Sequence, residues 1–134
     1  MQSTIHYSLN DHPTVDEVIE LYDDSGLRRP TYDRGRIAEM LRHANLTVSA
    51  RLDGKLVGLA RSLTDFSYCC YLSDLAVSKA LQHQGIGTEL VRLTKREIGD
   101  RAMLLLLSAP DAMEYYPKIG MERVENGFII KRTI

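Results

Sequence analysis

Apolar and polar positions along the chain change period several times, and each change marks an element. Thr4 to Leu9 reads as a first strand, punctuated by His12-Pro13-Thr14. Thr14-x-x-Glu17 has the form of a capping box, and Val15, Val18, Ile19 and Tyr22 give the helix behind it an apolar stripe. Gly26 is its predicted terminator, and Leu27 to Asp33 reads as a loop around Pro30. A second helix is predicted from about Arg34, with Ile37, Met40 and Leu41 facing inward and Asn45 near its end. Leu46 to Leu52, the turn Asp53-Gly54, and Lys55 to Leu63 form the clearest hairpin. Thr64 to Ser67 then turns the chain into a strand from Tyr68 to Val77.

A glycine-rich turn, Gln82-His83-Gln84-Gly85-Ile86-Gly87-Thr88, follows and opens a helix whose inward face is Ile86, Leu90, Leu93, Thr94 and Ile98. Arg101 to Ser108 reads by composition as a fully buried strand. Pro110-Asp111 starts a short helix that Gly120 ends, and Glu122 to Val124 with Phe128 to Lys131 predict a closing hairpin around Asn126-Gly127. The order implies an α+β domain with a mixed, mostly antiparallel sheet, in which Tyr68 to Ser108 forms a parallel strand–helix–strand crossover.

At 134 residues the chain suits a single domain, residues 1–134, with a proper core. A formal charge of −1 and alternating acids and bases argue against nucleic acid as a partner. No stretch approaches membrane-spanning length, so a membrane is not expected either. Cys69 and Cys70 are adjacent in a strand and should face opposite ways, and the histidines lack ligand spacing. No metal is expected, and a reducing cytoplasm is the simplest location.

Chemistry concentrates at the glycine-rich turn. Glycines at a helix mouth let an anion approach the backbone closely, where the first N–H groups have no internal partners and the dipole is positive. A P-loop would need Gly-Lys-Ser/Thr, but Gly87 leads into Thr88-Glu89. A dinucleotide fingerprint would want a small residue where Leu90 stands. An ordinary helix entry satisfies the turn alone equally well.

Gln82-x-x-Gly85-x-Gly87 resembles the Gln/Arg-x-x-Gly-x-Gly/Ala motif of the GNAT N-acetyltransferase superfamily, which binds the pyrophosphate of acetyl-CoA. Leu75-Ala76-Val77 resembles the strand preceding that motif, and Ala112 to Met121 is similar to the family's Ala-x-x-Phe-Tyr-x-x-x-Gly-Phe segment. The three pieces keep the family's order and spacing over about the last half of the chain. The resemblance implies a GNAT-like sheet of about six to seven strands with about four helices, in the order β-α-α-β-β-β-α-β-α-β-β. It implies direct transfer of acetyl from acetyl-CoA, as cosubstrate, to a primary amine of a small molecule or peptide. An acetyl-CoA-binding sensor of the same fold is the rival reading, and modification of a ribosomal or tRNA-linked amine fits the charge poorly.

Carried onto this chain, the resemblance assigns the pyrophosphate to backbone amides around Gln84, Gly85, Ile86, Gly87 and Thr88, beside Gln82 and His83. His83 stands where the family commonly has glycine, and Gln84 where it commonly has a cation. The edge of Leu75, Ala76 and Val77 would pair with the pantetheine amides, and the Leu75 N–H would polarise the thioester carbonyl. Tyr116 takes the place of the tyrosine that protonates the departing thiolate, with Tyr115 expected in the core. Ala109 replaces an asparagine common in relatives. Asp74 is the foremost candidate base, ahead of Tyr71 and Asp65, and could equally orient substrate or form a salt bridge. The acceptor is expected near Tyr22, Asp23, Arg28, Arg29, Tyr32, Asp33, Tyr71 and Asp74, a mixed set that selects neither a cationic nor an anionic amine. Exposed edge strands in the closing hairpin are compatible with a homodimer.

Overall fold

The computed structural model describes residues 4–134. Its strands are β1 (Ile5–Leu9), β2 (Leu46–Leu52), β3 (Lys55–Thr64), β4 (Cys69–Val77) and β5 (Met103–Leu105). Its α-helices are α1 (Val15–Ser25), α2 (Arg34–His43), α3 (Ile86–Ile98) and the single turn α4 (Tyr115–Lys118), with 3-10 turns at Lys79–Leu81 and Pro110–Ala112. The strands lie side by side in chain order, antiparallel from β1 to β4 and parallel between β4 and β5. The α+β class, the element order as far as α4 and the mixed sheet follow the sequence reading.

Local chemistry explains the boundaries. Thr14 Oγ1 accepts from the Glu17 N–H at 3.1 Å while Glu17 Oε1 accepts from the Thr14 N–H at 2.9 Å, closing the capping box of α1. Gly26 ends that helix in the left-handed conformation, φ 85°. Asp33 caps α2 through the Arg36 N–H. The β2–β3 turn places Asp53 and Gly54 at φ 50° and 82°, the twist that an Asp-Gly hairpin prefers.

The sheet has a core on each face. On one side α3 lays Ile86, Leu90, Val91 and Leu93 over Val48, Ala50, Val57, Ala60 and Leu72. On the other, α1 and α2 bring Val18, Leu21, Tyr22 and Ile37 against Leu56, Leu59 and Ala76. Leu72 and Ala76 both belong to β4 and differ by an even number, so regular alternation would put them on one face. They face opposite sides because Ser73 is an extra residue. Arg61 pairs with Asp74 and Ser62 with Leu72, leaving Ser73 unopposed as a β-bulge.

Two expectations are corrected. The sheet has five strands among the described residues because the closing hairpin does not form, and residues 121–134 carry neither helix nor strand. Two short strands are marginal in water unless they dock on a sheet. Arg101 to Ser108 is not a fully buried strand either. It pairs with β4 only over Met103–Leu105, and Met103 and Leu107 are exposed. The segment lies at the sheet's outer edge, where no strand among the described residues pairs with its far side.

Candidate active site

β4 runs on from Tyr71 to Val77, but β5 accompanies it only as far as the Tyr71–Leu105 pair. Beyond that point the two parallel segments part, and β4 keeps pairing with β3 alone down to Val77 opposite Gly58. Alternate N–H and C=O groups of Leu72–Val77 therefore face an open wedge, an edge able to accept another extended chain.

At the end of that edge the chain turns into α3. Gly85 caps the helix at φ 90°, and His83 also takes a left-handed φ of 66°. The first internal bond of the turn runs from the Glu89 N–H to the Gly85 carbonyl at 3.0 Å. The amides of Gly85, Ile86, Gly87 and Thr88 precede it, and His83, Gln84 and Gly85 are exposed. The Ile86 side chain is buried in the core, so this residue offers its backbone alone. A groove of about 580 Å³ bordered by His12, Thr14, Leu41 and Thr47 lies at the opposite end of β2 and contains none of these residues.

Gln82 does more than a solvated turn residue. Its Nε2 donates to the Ser25 carbonyl at 3.1 Å and the Val77 carbonyl at 3.0 Å, tying the turn to the ends of α1 and β4. Ser78 Oγ and the Lys79 N–H donate to Asp24 Oδ2, a second tie to α1. No local pattern marks either arrangement, since the partners are backbone groups or lie more than fifty residues away.

α4 docks on the α3 mouth. Tyr115 Oη lies 2.8 Å from Thr88 Oγ1. A Cβ on Gly87 would come within 3.1 Å of that hydroxyl, so glycine leaves it room at the helix mouth. Tyr115 is thus half-buried with its hydroxyl at the helix mouth, which corrects its expected place in the core. Tyr116 meets it edge-to-face, ring centroids 5.1 Å apart at 78°. Burial, reinforced by Tyr115, raises the Tyr116 phenol above its usual 10.0, which keeps its proton in place at neutral pH.

Asp74 is completely buried and surrounded by donors. Tyr22 Oη donates to Oδ2 at 2.8 Å, Arg61 Nε to Oδ2 at 2.5 Å and Arg29 Nε to Oδ1 at 2.6 Å. Burial pushes this carboxyl up, but hydrogen bonds and charge from Arg61 and Arg29 outweigh it and hold the pKa below the ordinary value. The two guanidiniums also grip the bulge, Arg29 Nη2 on the Ser73 carbonyl at 2.7 Å and Arg61 Nη2 on Ser73 Oγ at 3.0 Å. A carboxylate ion-paired to two guanidiniums and held below its ordinary pKa is a weak proton acceptor, so the geometry opposes its reading as a base and favours the salt-bridge alternative. Tyr22, 0% exposed, is likewise interior; burial and the Asp74 charge drive its pKa well above 10.0. Neither side chain is exposed at the surface.

The other acceptor candidates divide. Arg29 is spent on Asp74, Ser73 and the Arg28 carbonyl, Asp23 accepts from Thr31 Oγ1, and Asp33 caps α2. Asp65, a lesser candidate base, accepts from the N–H groups of Ser67, Tyr68 and Cys69, which lower its pKa to about 2. Arg28, Tyr32 and Tyr71 remain at the surface, Tyr71 at the root of the wedge.

A five-stranded mixed sheet whose fourth strand splays from the fifth and feeds a glycine-capped helix defines an acetyltransferase fold. The sequence profile of the acetyltransferase (GNAT) family matches residues 9–121, and the chain belongs to that family of acyltransferases. No curated protein sequence matches it. Among solved structures, protein SA2161 from Staphylococcus aureus superposes with a TM-score of 0.82 at 23% identity, over 96% of this chain and 100% of that one. The GNAT protein SP0256 from Streptococcus pneumoniae TIGR4 gives 0.76 at 20% identity, over 98% and 100%. The aminoglycoside N-acetyltransferase AAC(6')-Iy, in complex with CoA, gives 0.75 at 15% identity, over 100% and 98%.

Proposed function

We propose that this protein transfers the acetyl group of acetyl-CoA directly to a primary amine of a small molecule or peptide. The observation that carries this reading is the wedge beyond Tyr71 leading straight to the α3 mouth. One open strand edge and one set of unpaired amides lie in line, as an extended amide chain ending in a diphosphate requires. The amides of Gln84 to Thr88 hold the diphosphate, with Gln82 fixing the turn that presents them. Leu75, Ala76 and Val77 supply the edge, and the Leu75 N–H, two residues past the Ser73 bulge, polarises the carbonyl under attack.

Acetyl-CoA supplies the activated acyl group as a thioester. The acceptor must arrive as the free amine, since an ammonium has no lone pair. Tyr116 gives its proton to the departing sulfur, a role suited to a phenol that burial keeps protonated. Arg28, Tyr32 and Tyr71 border the acceptor's approach. The aminoglycoside acetyltransferases of this fold support small polyamines and aminosugars as the first acceptors to try.

Calorimetric titration with acetyl-CoA, followed by thiol release over a panel of amines, tests the reading. Saturable binding and amine-dependent release of free thiol are expected, and Tyr116→Phe should lower turnover by on the order of 100-fold with acetyl-CoA affinity nearly unchanged. Absence of acetyl-CoA binding by folded protein would overturn the proposal, and unchanged turnover in the variant would remove Tyr116 as the acid.

A further inference from the structure

The turn that opens α3 is poor in fixed positive charge. Residues 82–88 contain neither lysine nor arginine, and the first charged side chain of α3 is Glu89, an acid paired with Arg92. A diphosphate bound there depends on hydrogen-bond donors rather than on a permanent cation.

A separate element brings one more donor to the same place. Tyr115 of α4 holds its hydroxyl 2.8 Å from Thr88 Oγ1. The point where a Gly87 Cβ would stand is 3.1 Å from that hydroxyl and 3.8 Å from Val77 Cγ2. The hydroxyl therefore lies where the open edge of β4 ends and the amides of α3 begin. Edge-to-face contact with Tyr116 already fixes the ring, so little freedom remains to be lost on binding.

The two hydroxyls carry two protons and share one hydrogen bond, and neither has another partner among the described residues. Whichever one donates within the pair, one O–H is left over. A phenol is a stronger donor than an aliphatic hydroxyl, and a phosphate oxygen is the strongest acceptor at hand. Beside an anion, Thr88 donates to Tyr115 and Tyr115 donates outward.

We infer, building on the acetyl-CoA reading above, that Tyr115 binds the cosubstrate: its hydroxyl, oriented by Thr88, donates to the diphosphate where the pantetheine joins it. A neutral phenol carried by α4 thus stands in for a cation that the turn itself lacks.

Calorimetry with acetyl-CoA and nuclear magnetic resonance titration with acetyl-pantetheine test the assignment. Tyr115→Phe keeps the ring and removes the hydroxyl. It should raise the acetyl-CoA Kd by about 10-fold, the loss of one hydrogen bond to a charged group. Acetyl-pantetheine has no diphosphate, and its Kd should be the same for variant and wild type. Thr88→Val should weaken acetyl-CoA by a smaller factor and change nothing further in the Tyr115→Phe background, because it acts through the phenol. Unchanged acetyl-CoA affinity in Tyr115→Phe, or an equal loss with both ligands, would overturn the assignment and leave the acetyl-CoA reading standing. Additive losses from the two positions would overturn the orienting role of Thr88. No acetyl-CoA binding by folded wild-type protein would overturn both readings.

Discussion

At Asp74 three side chains from three separate segments meet one carboxylate: Tyr22 from α1, Arg29 from the following loop and Arg61 from β3. A charge with 0% exposure is tolerable because two cations and a hydroxyl replace its water. Asp74→Asn keeps the shape but leaves two guanidiniums without a counter-charge, one of them almost fully buried. Its expected cost is about 3–5 kcal/mol of unfolding free energy by chemical denaturation. The acidic limb of the pH–rate profile should stay where it is, because the residue holds the bulge rather than taking a proton; a shifted limb would restore it as the base. The sequence singled out Asp74 from its place beside Leu75, and it could see no further. Arg61 looks like any polar strand position until the register puts it opposite Asp74.

Among elements, the critical contact is between α3 and the hairpin strand β3. A Cβ on Gly58 would lie 3.1 Å from both Ile86 Cγ2 and Leu90 Cδ1, and 3.2 Å from Ala50 Cβ, so the missing side chain sets how closely the helix lies on the sheet. Gly58→Val overfills that contact. It should cost about 1–3 kcal/mol, read as a lower melting temperature, and should weaken acetyl-CoA binding by displacing the α3 mouth. The helices and the hairpin were legible because caps, Asp-Gly and the spacing of Ile86, Leu90 and Leu93 each leave a local mark. The Ser73 bulge was not, since Leu72 and Ala76 keep even numbers although the inserted residue puts them on opposite faces. The closing hairpin had the right local signals and failed for want of a docked partner, which no local signal reports.

For the whole molecule, acid is the revealing perturbation. Arg51 bridges Asp11 at 2.6 Å and Glu17 at 2.6 Å, joining β2 to α1 and the loop before it. Its hydrogen bonds, chiefly, lower Glu17 from 4.5 to about 2 and hold Asp11 low, and Asp65 and Asp74 are lowered as well. Carboxyls more acidic folded than unfolded stabilise the fold above their unfolded pKa, and that stability is lost as pH falls through the folded value. Denaturation midpoints should therefore be level near neutrality and fall from about pH 4.5 toward 2. Glu17→Gln should flatten that fall while lowering the neutral plateau, as parallel titrations would show.

The alternation of β4 has one further consequence at the strand's other end. Cys69 is exposed and Cys70, on the opposite face, is buried with its thiol pKa raised by that burial. A maleimide dye should therefore attach once per chain, at Cys69, opposite Met103 in the β4–β5 pairing and two residues before the wedge opens at Tyr71. The wild-type sequence thus carries its own single fluorescent reporter, placed to sense whatever enters between the two parallel strands.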